Sequence, residues 1–242
     1  MTAAIDLVGE LTSRHFCRTA DAAMRTLIGP GPLVDWERFA ESWDTLELDR
    51  HMADGGRYRR RRYACFETRG TGATRLPHQP HYQSTEYNRV NGGIERWFAP
   101  VEDRIAGHPL LGRLLELCHA SFAEAAHLSP ASAVWRCEMH QFRIEADART
   151  AGQPTPEGTH RDGVDWVLVM LVGRENAAGG ITAVSDTERR PLGSFALERP
   201  LDSVWLDDRQ VWHGVTPLTP EHPQRPAHRD VLVLTFRDAR AR

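Results

Sequence analysis

Lysine is absent from the chain: all 30 basic residues are arginines. That removes the lysine of a phosphate-binding loop, of a Schiff base and of a kinase-type site, and leaves arginine alone to neutralise an anionic ligand. Arginine suits a carboxylate, because its planar fork makes two parallel hydrogen bonds. Cysteine is scarce, and Cys17, Cys65, Cys118 and Cys137 are scattered without a CxxC pair. A zinc ribbon and a disulfide framework are thereby excluded, and reduced, partly buried thiols are expected. No apolar run approaches the roughly 18 residues of a membrane span, and Met1 to Asp6 lacks the basic-then-apolar order of a signal peptide, so a cytoplasmic protein without a membrane partner is expected. Charge of one sign is not in excess either. The formal net charge is −3 and the isoelectric point is near 6.5, which gives no electrostatic reason for a nucleic-acid partner.

What is present reads as one domain over the whole 242 residues, with 1–55 as a helical support and 56–242 as the core. Apolar residues at helical spacing over 5–27 predict one or two helices, ended by Gly29-Pro30-Gly31-Pro32. A second helical stretch over 35–43 places Trp36, Phe39 and Trp43 on one face. Residues 109–127, with Leu110, Leu111, Leu114, Leu115, Cys118 and Phe122, form the strongest helical pattern, stopped by Ser129-Pro130. The run Arg59-Arg60-Arg61-Arg62 lies in a strand-like segment, which sends the arginines to both faces. It reads as a solvated or ion-paired strand in preference to a nucleic-acid patch. From Val134 onward the period shifts towards two, with strands predicted at 135–145, 166–172, 180–185, 193–197, 203–206, 210–216 and 230–236 between turn signals. Many short strands with regular turns suggest a sandwich or a jelly roll.

The chemistry gathers at Thr159-His160-Arg161-Asp162-Gly163. On an extended segment His160 and Asp162 point the same way and can bend onto one ion at bond lengths of roughly 2.0–2.2 Å. His213, far downstream, is the candidate third ligand. Two imidazoles and one carboxylate on one side of an ion leave the opposite positions open, which suits non-haem Fe(II). A second triplet, His228-Arg229-Asp230, has no histidine after it and cannot be completed downstream. Read as a kinase triplet, His160-Arg161-Asp162 fails for want of lysine and of Asp-Phe-Gly.

The order His160, Asp162, His213, Arg229 in a β-rich half resembles the jelly-roll 2-oxoglutarate/Fe(II) oxygenases. Within them it resembles the bacterial group typified by L-isoleucine hydroxylases that act on free amino acids. The likeness rests on Pro80-His81-Tyr82-Gln83-Ser84 with Asn88 and Gly92-Gly93, on His140-Gln141-Phe142-Arg143-Ile144, and on Pro156 to Gly163. It continues through Gly179-Gly180, Asp207-Asp208 to Pro217, and Arg229 to Phe236, and it thins out before about Gly55. The resemblance implies an α+β, mainly β fold, a double-stranded β-helix (jelly-roll, cupin-like) core with N-terminal and flanking helices. It implies Fe(II), 2-oxoglutarate and O2 as cofactors and co-substrates, with iron on His160, Asp162 and His213. Arg229 would bind the far carboxylate of 2-oxoglutarate; Thr235 shares its parity on the last strand, and Arg237 is the fallback anchor. An aspartate at 162, where related halogenases carry a small residue, implies oxygen transfer. The implied activity is hydroxylation of a C–H bond of a small free L-amino acid or close derivative, with succinate and CO2 as co-products.

Other residues keep two readings each. His140 is either a hydrogen-bonded core histidine or a pocket residue. Arg143, on the opposite strand face from His140, is a substrate contact or a surface ion pair. Tyr82, Gln83 and Asn88 form part of the substrate wall by resemblance, or simply make turns. Asp207-Asp208 reads as a capped turn, and Trp166, Trp205 and Trp212 as packing residues. Two alternative functions use the same barrel: a cupin-like metal-dependent hydrolase or isomerase without 2-oxoglutarate, and a non-catalytic small-molecule sensor.

Overall fold

The computed structural model describes residues 5–88 and 90–240. Helix α1 (Leu7–Arg14) is capped by Asp6, whose carboxylate accepts from Gly9 N at 2.9 Å. His15 then turns into the left-handed region at φ 62°, and Phe16–Thr19 form strand β1 before helix α2 (Asp21–Ile28). The helical spacing over 5–27 concealed this strand. Its partners lie almost 190 residues downstream, in register Phe16↔Leu206 to Thr19↔Ser203, so no local periodicity reports it. Helix α3 (Trp36–Ala40) tightens into a 3-10 turn over Glu41–Thr45 that keeps Phe39 and Trp43 fully buried. Strands β2 (Glu47–Leu48), β3 (Arg59–Arg69), β4 (Gly72–Arg75), β5 (His81–Tyr82) and β6 (Glu95–Arg96) follow, then helices α4 (Asp103–Ala106) and α5 (Pro109–Ala125). The remaining strands are β7 (Val134–Ala146), β8 (Trp166–Glu175), β9 (Ala177–Gly179), β10 (Ile181–Asp186), β11 (Pro191–Ala196), β12 (Ser203–Asp207), β13 (Val211–Val215), β14 (Leu218–Pro220) and β15 (Ala227–Asp238).

The large sheet runs β1-β12-β8-β15-β7-β3-β2, with β4 beside β3, and the smaller one runs β11-β10-β13. All pairings within them are antiparallel, as the predicted period of two requires. The fold is the expected jelly roll, with the helices flanking the large sheet.

Side-chain alternation divides that sheet into two chemistries. Facing the helices are Met139, Leu168, Leu232, Leu234 and Phe236, all without solvent exposure. Helix α5 covers them because its apolar residues recur at three- and four-residue steps. Phe122 stacks on Trp166 (5.3 Å between ring centroids) and meets Trp205 and Phe236 edge-on. The other face carries rows of partners across three strands: Arg59–Ile144–Arg229, Arg61–Phe142–Val231, Tyr63–His140–Val233 and Cys65–Glu138–Thr235. These rows floor the cavity between the two sheets. All four cysteines are buried and unbonded to one another. No described helix is long and apolar enough to cross a membrane.

Phe122→Ala is expected to lose about 3–5 kcal/mol of unfolding free energy by opening a cavity between α5 and three aromatic neighbours. Urea denaturation followed by tryptophan fluorescence checks this; a loss under about 1 kcal/mol would mean α5 is not the buttress of the sheet.

Candidate metal centre

Position 160 is not in a regular strand, as the sequence reading had it. It forms an isolated bridge to β13, with His160 N donating to His213 O at 2.8 Å and His213 N donating to His160 O at 3.0 Å. The bridge sets the two imidazoles side by side, ring centroids 4.6 Å apart. Beyond it the chain turns, and Gly163 at φ +77° lets the turn close where a Cβ would lie 2.4 Å from the Tyr87 ring. Asp162 is thus aimed by a turn, not by strand alternation. Its backbone N donates to Asp208 Oδ1 at 2.9 Å, while Oδ2 of the same carboxylate accepts from Gly163 N (2.8 Å) and Val164 N (3.1 Å). The expected turn-capping role of Asp208 is therefore exerted on the loop that carries Asp162.

Asp162 Oδ1 lies 3.6 Å from His160 Nε2 and Oδ2 lies 3.4 Å from His213 Nε2. The three ligand atoms sit within 4.8 Å of one another, the spacing of donors around one ion. His160 Nδ1 is 3.1 Å from Gly158 O, which directs its proton there and leaves Nε2 for a metal. Burial works to raise the Asp162 carboxyl, but hydrogen bonds and charge from the two histidines hold it well below the usual range. Burial works against a charged His160, yet Asp162 and Glu157 outweigh it and bring that imidazole to about 9. Without a metal the His160 proton balances the Asp162 charge, and the donor set of two imidazoles and a carboxylate fits Fe(II), whose uptake would displace that proton.

The cavity above this triad contains Arg229, 2% exposed, at the β15 end. Burial first, and then Arg174, push its guanidinium down to about 10. Its Nε and Nη2 have no hydrogen-bond partner among the described residues. Gly180, φ +69°, admits this side chain: a Cβ there would lie 3.4 Å from Arg229 Cδ. Thr235 shares the face, but six strand residues separate it from Arg229, roughly 20 Å. That is far more than a five-carbon diacid spans, although Thr235 and Arg229 line the same cavity, Thr235 beside Glu138 and Val164. Arg237 Nη2 is tied to Gly163 O at 2.7 Å.

Of the expected substrate wall, Gln83, Asn88 and His140 line the cavity, and Tyr82 lies at its rim, 56% exposed. Gln83 Nε2 donates to Asp162 O at 3.0 Å and Gln83 Oε1 accepts from Asn88 Nδ2 at 3.0 Å, so this pair also braces the metal loop. Arg143 does not join them. It points to the opposite face, where Nη2 contacts Asp230 at 2.7 Å and Asp44 at 2.8 Å, because an even step from Gln141 places it away from the cavity. The surface ion pair is the correct one of its two readings.

The structure adds residues that sequence reasoning did not single out. The odd-numbered members of the arginine run, Arg59 and Arg61, are buried in the cavity wall with Arg96. Asp49 is the one carboxylate the first two share, at 2.7 Å from Arg59 and 3.8 Å from Arg61. Arg61 lies between Phe98 and Phe142, its Cζ 3.6 and 4.4 Å from their centroids, and its Nη2 is 2.6 Å from His140 Nδ1. Burial, with Arg61 next, holds His140 well below its usual value, so the ring is neutral. A guanidinium can only donate, which places the His140 proton on Nε2, facing the cavity. His81, Glu138 and His140 form a second metal-like group. Its donors already serve one another, with His81 Nδ1 at 2.9 Å from Glu138, and Arg61 beside it repels a cation. The alternation of the arginine run was the available signal; what hid it was the position of Asp49, ten residues upstream.

A model of the 2OG-Fe dioxygenase family matches residues 40–235. The chain is 29% identical over 157 residues to L-isoleucine-4-hydroxylase of Bacillus thuringiensis, covering 64% of each protein. It is 24% identical over 206 residues to 3(1)-hydroxy-L-isoleucine 4-dioxygenase of Pantoea ananatis, covering 84% of this chain and 81% of that one. The crystal structure of a bsmA homolog from Methylobium petroleophilum PM1 superposes with a TM-score of 0.86 at 39% identity, over 96% of this chain and 92% of the other.

Asp49→Asn is expected to cost about 3–5 kcal/mol at neutral pH, because it leaves Arg59 and Arg61 buried without their shared anion. Burial raises the Asp49 carboxyl, but Arg59 and Arg61 outweigh it and depress it below its ordinary value. The stabilisation is therefore complete above the unfolded value of about 3.9 and is lost as pH falls through the lower folded one. In urea denaturation the gap between wild type and variant should be widest at pH 7 and close on acidification; a gap that widens below pH 4 would contradict the assignment.

Proposed function

The chain belongs to the 2OG-Fe dioxygenase family, whose chemistry uses Fe(II), 2-oxoglutarate and O2, and on that premise we propose that it hydroxylates a C–H bond of a small free L-amino acid or a close derivative. His160, Asp162 and His213 are the proposed iron ligands, and Arg229 is the proposed partner of the far carboxylate of 2-oxoglutarate. The observation that carries this reading is the presence of both groups in one cavity: three donors spaced to hold one metal ion, and a buried guanidinium with a free edge and no anion beside it. The relatives whose names specify isoleucine or its hydroxylated form support an amino acid as the substrate.

Bound iron with 2-oxoglutarate supplies the oxidising power: one oxygen atom of O2 enters succinate, the other enters the product, and CO2 leaves. The protein's own part is positional. The bridge between His160 and His213 sets the ligand geometry, and Asp208 and Gln83 hold the Asp162 turn. Val231 and Val233 line the cavity between Arg229 and Thr235 on β15 and would give bound 2-oxoglutarate an apolar wall that limits water.

Protein loaded anaerobically with Fe(II) is to be exposed to air with 2-oxoglutarate and a panel of free L-amino acids, with products read by mass spectrometry. Succinate and a product heavier by one oxygen atom are expected in equal amounts with at least one amino acid. Asp162→Ala should lower turnover by more than the roughly 10–100-fold that loss of a ligand's supporting partner costs. Absence of succinate from the wild-type protein with iron demonstrably bound would sink the reading.

A further inference from the structure

Arg96, on β6, is 2% exposed and lines the same cavity. The neighbouring arginines each have a carboxylate within reach: Arg59 and Arg61 share Asp49 at 2.7 and 3.8 Å, and Arg61 also meets His140 and two aromatic faces, although Arg59 Nη2 and Arg61 Nε make no hydrogen bond of their own. Among the described residues Arg96 has no carboxylate within salt-bridge distance, and its Nε and Nη2 are buried without a hydrogen-bond partner. Those two nitrogens form one edge of the guanidinium, the edge that makes parallel hydrogen bonds to a carboxylate. A guanidinium in a protein does not escape burial by losing its proton, so a buried, unpaired one needs an anion that the fold does not provide. Arg229 shows the same pattern on the same two nitrogens. One cavity thus holds two arginines whose whole Nε–Nη2 edge is free and that have no carboxylate partner among the described residues, and 2-oxoglutarate, chelated through its keto acid end, has one carboxylate left to offer.

We propose that Arg96 anchors the free carboxylate of the substrate, so that the pocket accepts an amino acid with an unblocked carboxylate and rejects its amide, its ester and a carrier-bound thioester. The assignment rests on the hydroxylase reading for the identity of the bound molecule. Position supports the separation of roles. Arg96 lies beside Phe98, its Cζ 5.8 Å from the ring that also faces Arg61 of β3, whereas Arg229 projects from β15, separated from β3 by β7. The aromatic walls beside Arg61 dry this end of the pocket, which strengthens a charged pair formed there.

The test compares wild type, Arg96→Met and Arg96→Lys, each as the Fe(II) protein with 2-oxoglutarate. Panels of L-amino acids and their α-amides are assayed for succinate and product, and their binding is measured anaerobically by calorimetry. The substitution to methionine removes an unpaired buried charge, so the fold is expected to hold, and the melting temperature verifies it. The expected result is activity with the acid and not the amide, and a KM for the amino acid raised roughly tenfold or more in Arg96→Met. The KM for 2-oxoglutarate should be unchanged, with partial recovery in Arg96→Lys. Equal use of acid and amide, an unchanged amino-acid KM, or a rise confined to the 2-oxoglutarate KM would overturn the assignment while leaving the hydroxylase reading intact. If no panel member elicits succinate, the hydroxylase reading fails by itself. Calorimetry then decides the subsite: binding of the acids and not the amides, lost in Arg96→Met, upholds it, and no such difference overturns it.

Discussion

The register of the β3–β7–β15–β8 ladder is the constraint on which the rest of the molecule depends. Side chains alternate across these strands, so a slip of one residue would exchange the apolar layer under α5 for the arginines and histidines of the cavity. The stack of Phe122, Trp166 and Phe236 on one face therefore specifies where Arg229, His140 and Arg61 point on the other. Packing energy on the helix side is what holds desolvated charge on the cavity side. Neither face would keep its arrangement without the other.

Charge in the cavity follows a consistent logic. Where the fold supplies an anion, as Asp49 does for Arg59 and Arg61, the arginines are structural. Arg96 and Arg229 have no such anion, and the proposed roles give their free edges to molecules that enter. The metal triad is the converse case, a buried carboxylate that two imidazoles hold anionic at the spacing of metal donors. Buried polar groups without a partner are costly in a folded chain, and a free guanidinium edge inside a cavity is where a separately arriving anion offsets that cost.

Much of this was legible in the sequence. The helical spacing of α5 and the two-residue period after Val134 carried the fold, since amphipathic burial is a local pattern. The His-x-Asp triplet with a distant histidine and arginine carried the proposed metal and co-substrate ends. Parity on β15 put Arg229 and Thr235 on one face, and both line the cavity, but parity says nothing of the distance along the strand between them. Parity also separated Arg143 from His140, and the ion pair with Asp230 follows from that. Pairings made across the chain stayed hidden: β1 against β12, and Asp49 against the arginines of β3. Arg96 left no trace at all, because a two-residue strand has no period and burial there comes from neighbours remote in sequence.

The account's central claim is that one cavity holds iron on His160, Asp162 and His213 and orients 2-oxoglutarate towards Arg229. Anaerobic titration of the Fe(II) protein with 2-oxoglutarate, followed by the visible charge-transfer absorption of the chelate, tests it most directly. The account predicts a band that saturates at one equivalent per chain, is absent in Asp162→Ala, and in Arg229→Leu requires roughly thirtyfold more 2-oxoglutarate, the equivalent of about 2 kcal/mol for a buried charged pair. A band that titrates identically in Arg229→Leu, or no band with iron bound, would contradict it.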